Sequence, residues 1–135
     1  MRNVLSKLAE GGCTRRMLTE RGTFFGYHRL VTDFIGLGDM ADLGAPVCFD
    51  ATHSTQLPGA TGEATGGRPD RCALLARAAV AAGVHAVFLE CHPNPPASGS
   101  DSATIQPLSA IPALLEALSR VRQAVGTPGS PAARA

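Results

Sequence analysis

Three short apolar runs, Met17-Leu18-Thr19, Val47-Cys48-Phe49-Asp50 and Ala86-Val87-Phe88-Leu89-Glu90, begin 30 and 39 residues apart. That is the repeat of strand-plus-helix units in a parallel sheet, because a parallel neighbour requires a crossover of about a dozen residues or more. The second and third runs lack strict apolar-polar alternation and so suit strands covered on both faces. Helical patterns fill the intervals. Leu30, Phe34, Leu37 and Ala41 recur at helical spacing, and Leu74, Leu75, Ala78, Ala79 and Ala82 form a second face after Pro69. Ile111, Leu114, Leu115, Leu118 and Val121 line a third helix, with Ser109 as its expected cap and Pro112 tolerated in the first turn. Val4, Leu5 and Leu8 predict a shorter helix at the start. The class is α/β.

A length of 135 residues gives one domain and a moderate core. Twelve Lys and Arg against eleven Asp and Glu leave a net charge of +1, which argues against a nucleic-acid binder that works by charge alone. The longest apolar stretches, such as 78–84, fall short of the roughly 18 residues of a membrane helix, and Met1-Arg2-Asn3 leads into a polar amphipathic segment, so a cytoplasmic protein is expected. Cys13, Cys48, Cys72 and Cys91 form no Cys-x-x-Cys pair and are read as reduced, Cys48 and Cys72 as packing residues. The expected domain spans 1–126, and 127–135, rich in Pro, Gly, Ala and Ser, is read as a disordered tail without function.

In parallel α/β proteins, functional groups gather at the carboxyl ends of strands. Each run here is followed by something polar: Glu20-Arg21-Gly22, then Asp50-Ala51-Thr52-His53-Ser54-Thr55-Gln56, then Glu90-Cys91-His92-Pro93. Arg21 offers a planar fork for phosphate or carboxylate, and Gly22 lets the backbone approach a ligand; the plainer role for Arg21 is a salt bridge to Asp50 or Glu90. His53, Glu90 and Asp101 supply an imidazole and two carboxylates, which suit a divalent metal such as Zn, Fe or Mn if the fold gathers them and a sugar phosphate otherwise. Residues 58–69 carry Gly59, Gly62, Gly66 and Gly67 before Arg68 and lack both the Walker and the dinucleotide fingerprints. They read as a lid over substrate or as an ordinary connection.

The words themselves are more specific. Glu20-Arg21-Gly22-Thr23-Phe24-Phe25-Gly26-Tyr27, Phe49-Asp50-Ala51-Thr52-His53-Ser54-Thr55-Gln56, Gly66-Gly67-Arg68 and Glu90-Cys91-His92-Pro93-Asn94-Pro95 closely resemble the 3-deoxy-D-manno-octulosonate 8-phosphate synthases, over about 1–125. The 3-deoxy-D-arabino-heptulosonate 7-phosphate synthases share the Arg-Gly, Asp-x-x-His and Glu-x-His-Pro patterns but fit less well, lacking the Phe-Gly-Tyr and the Gln56 with its glycine loop.

The resemblance implies a (β/α)₈ barrel that condenses phosphoenolpyruvate with D-arabinose 5-phosphate and water, a step of lipopolysaccharide synthesis, in a homotetramer. Carried over by motif, Arg21 grips phosphoenolpyruvate, His53 and Gln56 stand at the reacting centre, and His53, Glu90 and Asp101 match three of the four ligands of metal-dependent members. The fourth position, which decides metal dependence, has no counterpart here. A full barrel takes roughly 250 residues, so the chain is expected to be its C-terminal part, about the last three to four βα units, and inactive alone. Asp101-Ser102-Ala103-Thr104 stands where the family has Asp-Gly-Pro and a Ser or Asn, so Asp101 keeps its place on a different turn. Two other readings are a heptulosonate phosphate synthase and a non-catalytic half-barrel that binds a partner chain through its open sheet edge.

Overall fold

The structure is a computed structural model that describes residues 1–24, 27–59 and 66–126. Helix α1 (Arg2–Glu10) precedes strand β1 (Leu18–Glu20). A small antiparallel hairpin, β2 (Thr23–Phe24) and β3 (Leu30–Val31), leads to helix α2 (Phe34–Ala41) and strand β4 (Val47–Asp50). A short 3₁₀ turn (His53–Thr55) runs into β5 (Gln56–Leu57), which pairs antiparallel with β6 (Gly66–Gly67) ahead of helix α3 (Cys72–Ala81). Strand β7 (Ala86–Phe88) follows, then β8 (Cys91–His92), its parallel partner β9 (Gln106–Pro107) and helix α4 (Ile111–Val125). The sheet order is β1-β4-β7, all parallel, with Leu18 beside Val47 and Cys48 beside Ala86. Three strands each followed by a helix are the α/β repeat that the run spacing predicts.

The core lies between the sheet and its helices. Leu18, Val47, Phe49 and Ala51 meet Leu37 and Met40 of α2, Cys72, Ala76, Ala79 and Val80 of α3, and Leu118 of α4. Every residue of β4 is buried; the strand is flanked on both edges by β1 and β7, and Val47 and Phe49 pack into the helix-side core. Cys48 and Cys72 are buried and free, as read. Burial, with the charge of Asp50 adding to it, pushes the Cys72 thiol up to about 11, so it stays protonated and inert at neutral pH.

Several sequence expectations shift. Strand β1 begins at Leu18, with Met17 half exposed, and β7 stops at Phe88, two residues before the expected end at Glu90. Leu30 belongs to the β2–β3 hairpin and not to a helix face, because Asp33 accepts a hydrogen bond from Ile35 N and sets the helix start after it. The buried stripe of α2 is therefore Leu37 and Met40, while Phe34 and Ala41 are exposed. On α3 the face is rotated: Cys72, Ala76, Ala79 and Val80 are buried, Leu74 and Ala82 are exposed, and Leu75 and Ala78 lie between. Small side chains let α3 seat closely between the sheet and α4, which turns the bulky leucine outward. On α4 the predicted stripe holds except at Leu115, which is exposed. Ser109 does not cap α4; it lies in the 3₁₀ turn before it, the cap position is Ala110, and Pro112 falls in the first turn. The predicted tail at 127–135 lies outside the described residues.

Candidate active site

The carboxyl ends of β1, β4 and β7 open on the same side of the sheet, because parallel strands in register end together. After β1 the chain turns at Gly22, whose φ of +91° lies in the left-handed region and whose Cα faces the Leu30 side chain closely. Glu20 holds this turn by accepting a hydrogen bond from Gly22 N at 2.6 Å. Arg21, between them, donates from Nη2 to Gln56 Oε1. Among the described residues it forms no ion pair with Asp50 or Glu90, so the plainer salt-bridge role is not the one adopted.

After β4 the turn is built by Asp50. Its Oδ1 accepts from Thr52 N at 3.1 Å and His53 N at 2.9 Å, and its Oδ2 lies 2.7 Å from His53 Nδ1. The carboxylate accepts from Nδ1, which leaves Nε2 as the nitrogen turned away from Asp50. Phe88 stacks on the imidazole with centroids 5.9 Å apart, fixing its plane. Buried Thr52 reaches across to the third strand, accepting from Glu90 N at 2.7 Å through its hydroxyl. That cross-strand bond, with the bond from Gln106 N to Glu90 O, leads Glu90 out of the ladder and toward His53.

The groups converge there. Glu90 Oε2 lies 3.3 Å and Asp101 Oδ2 3.8 Å from His53 Nε2. Among the described residues, His53, Glu90 and Asp101 form a group whose ligand atoms all lie within 4.8 Å of one another. Asp101 adopts φ +49°, a conformation Asp tolerates, and its carbonyl closes the new turn by accepting from Thr104 N and Ile105 N. Its Oδ1 accepts from Gln56 Nε2 at 3.0 Å. The Gln56 amide thus joins Arg21 on one side to Asp101 on the other. Two carboxylates beside the outward ring nitrogen form a cluster of acceptors that a divalent cation would bridge. An imidazole whose far nitrogen is held by a carboxylate, with two carboxylates beside it, is a donor set that fits such a cation.

The expected lid is described in part. Gly66 and Gly67 pair with Leu57 and Gln56, Gly59 adopts φ +75°, Arg68 binds Asp70 through two hydrogen bonds, and Gly62 lies outside the described residues. Gly67 packs so closely on Ala103 and Thr104 that a Cβ would fall on them. Two residues escaped the sequence reading as parts of the site: Asp50 as the holder of His53 and Thr52 as the holder of Glu90. An Asp three residues before a His at a strand end was the available signal for the first; nothing local marked the second.

The model of the DAHP synthetase I family matches residues 1–126. The chain belongs to that family. Within it, curated relatives named 2-dehydro-3-deoxyphosphooctonate aldolase are 52% identical over 88% of this chain in Nitratidesulfovibrio vulgaris and 47% identical over 95% in a Synechococcus strain. Each is matched over less than half its own length, 44% and 45% respectively. The solved Phospho-2-dehydro-3-deoxyheptonate aldolase (DAHP synthase) of Thermotoga maritima superposes with a TM-score of 0.75 at 29% identity, covering 92% of this chain and 35% of that one. The DAHP synthetase I fold accounts for the shared carboxyl edge on which these groups meet.

Proposed function

We propose that the chain is the C-terminal part of a (β/α)₈ synthase that condenses phosphoenolpyruvate with D-arabinose 5-phosphate and water, releasing inorganic phosphate. The observation that carries the reading is the continuous array Arg21, Gln56, Asp101, His53 and Glu90 across three strand ends. In the reaction, carbon 3 of phosphoenolpyruvate bonds to the sugar aldehyde carbon, whose oxygen gains a proton. Water adds at carbon 2, the bond from carbon 2 to the phosphate oxygen breaks, and the phosphate leaves. Arg21 presents a guanidinium fork to the phosphate or carboxylate of phosphoenolpyruvate. Gln56 sets the distance between that fork and Asp101. Asp50 keeps the His53 proton on Nδ1, so Nε2 faces the reacting centre. His53, Glu90 and Asp101 would hold a divalent cation, which when bound supplies polarisation of a carbonyl or activation of water. The paired stems at Gln56–Leu57 and Gly66–Gly67 support a lid carrying Gly59, Gly62 and Arg68 over this centre.

Joined to the N-terminal strands of an octulosonate synthase, the chain is expected to turn over arabinose 5-phosphate in preference to erythrose 4-phosphate, measured by phosphate release. Preference for the four-carbon sugar would transfer the reading to the heptulosonate enzymes, which the Thermotoga structure favours as the second choice. Light scattering on the completed barrel tests the homotetramer that the resemblance implies.

Asp50→Asn tests the holding of His53. Titrated with Mn²⁺ or Co²⁺ by calorimetry, the variant is expected to bind about 10–100-fold more weakly than the parent. Unchanged affinity would show that the ring needs no carboxylate behind it.

A further inference from the structure

Beside the proposed centre lies a second cavity of about 450 Å³, between the β2–β3 hairpin, the turn after β4 and the outward faces of α2 and α3. Its lining shares Gln56 with that centre and includes none of Arg21, His53, Glu90 or Asp101. The floor is apolar, with Phe34, Leu57, Leu74 and Leu75, and three guanidinium groups, Arg29, Arg68 and Arg71, stand around it with no carboxylate in the wall among the described residues. Arg68 and Arg71 share the single carboxylate of Asp70 outside the lining. Arg29 stacks over Tyr27 at 5.6 Å and has no carboxylate partner among the described residues. Ser54, which also lines the cavity, keeps a buried hydroxyl without a hydrogen-bond partner among the described residues.

We propose that this cavity is a binding site for an amphiphilic anion, an apolar chain or ring ending in a carboxylate or phosphate. The apolar floor removes the body of such a ligand from water, and among the described residues the surplus of two cations over the one shared carboxylate answers its charge. A purely apolar occupant leaves the guanidinium groups unanswered. A second copy docked face to face on this surface brings like charges together, since a two-fold contact sets each patch against itself. The site borders the proposed centre at Gln56 and the proposed lid at Arg68, but the test reads binding through residues that the reaction does not use, so its failure leaves that reading standing.

The test uses the chain itself, titrated with octanoate, octanol and inorganic phosphate while amide signals are followed by NMR. Octanoate is expected to shift Phe34, Leu57, Leu74 and Leu75 saturably, with octanol and phosphate each about tenfold weaker or more, the cost of losing one of two kinds of contact. The exposed-site variant Arg29→Gln with Arg71→Gln should weaken octanoate about tenfold and leave octanol unchanged, and Arg29→Lys with Arg71→Lys should restore much of the binding. Octanol binding as tightly as octanoate, phosphate binding as tightly as octanoate, no response at all, or no loss in the Gln variant would each overturn the assignment. So would a dimer in light scattering that the Gln variant abolishes, which would give the face to a second copy.

Discussion

His53→Ala, placed in a completed barrel, is expected to lower kcat/KM by about two to four orders of magnitude, the range for a positioned acid-base group. The midpoint of thermal unfolding should move by only a few degrees, roughly the effect of 1 kcal/mol. The contrast follows from where the ring sits. It is held by Asp50 and by stacking on Phe88, yet its Nε2 faces Glu90 and Asp101 at the open carboxyl edge and not the core. The ring lies outside the hydrophobic core cluster, and removing it takes away the group around which two carboxylates are arranged. Arg21→Ala should act in the same sense, because its side chain is exposed and its one hydrogen bond among the described residues goes to Gln56. Steady-state kinetics and calorimetry on the same preparations decide the matter. Parallel loss of activity and stability would mean that both residues are structural.

The second large effect belongs to the sheet. Phe49→Ala removes a fully buried side chain from the centre of the middle strand, where it meets the hydrophobic cluster of α2, α3 and α4. Such truncations cost about 3–5 kcal/mol, the lost transfer energy plus the cavity left behind. Against a total of roughly 5–15 kcal/mol for a domain, the variant is expected to be largely unfolded or to melt many degrees lower. Urea denaturation followed by circular dichroism measures it. A loss under about 1 kcal/mol would mean that the site collapses around the smaller residue and that β4 is not the organising strand.

Much of the fold was legible because a buried strand and an amphipathic helix each leave a local mark. The runs at Val47 and Ala86 and the stripe Ile111, Leu114, Leu118 and Val121 are patterns within one element, and these survive in the structure. The errors fall where two elements compete for the same residues. Leu30 has helical spacing to Phe34, yet Asp33 captures the amide of Ile35 and starts the helix later. Leu74 looks like part of a core face, yet the alanine face of α3 wins the interior and leaves Leu74 exposed, with Leu75 packed at the margin of the core. Periodicity records that a helix has two faces; which face is buried depends on the shape of what it meets.

The site divides in the same way. The sequence alone placed Arg21, His53, Gln56 and Glu90 at or just after strand ends and kept Asp101 beyond the third, because the polarity that follows an apolar run is written in order along the chain. Only the tertiary structure joined Arg21 to Gln56 across 35 positions and Gln56 to Asp101 across 45. Likewise it gave Thr52 the amide of Glu90, 38 positions away. Those contacts depend on the register of three parallel strands, and register is set by how whole faces pack, a quantity that no local stretch of residues carries.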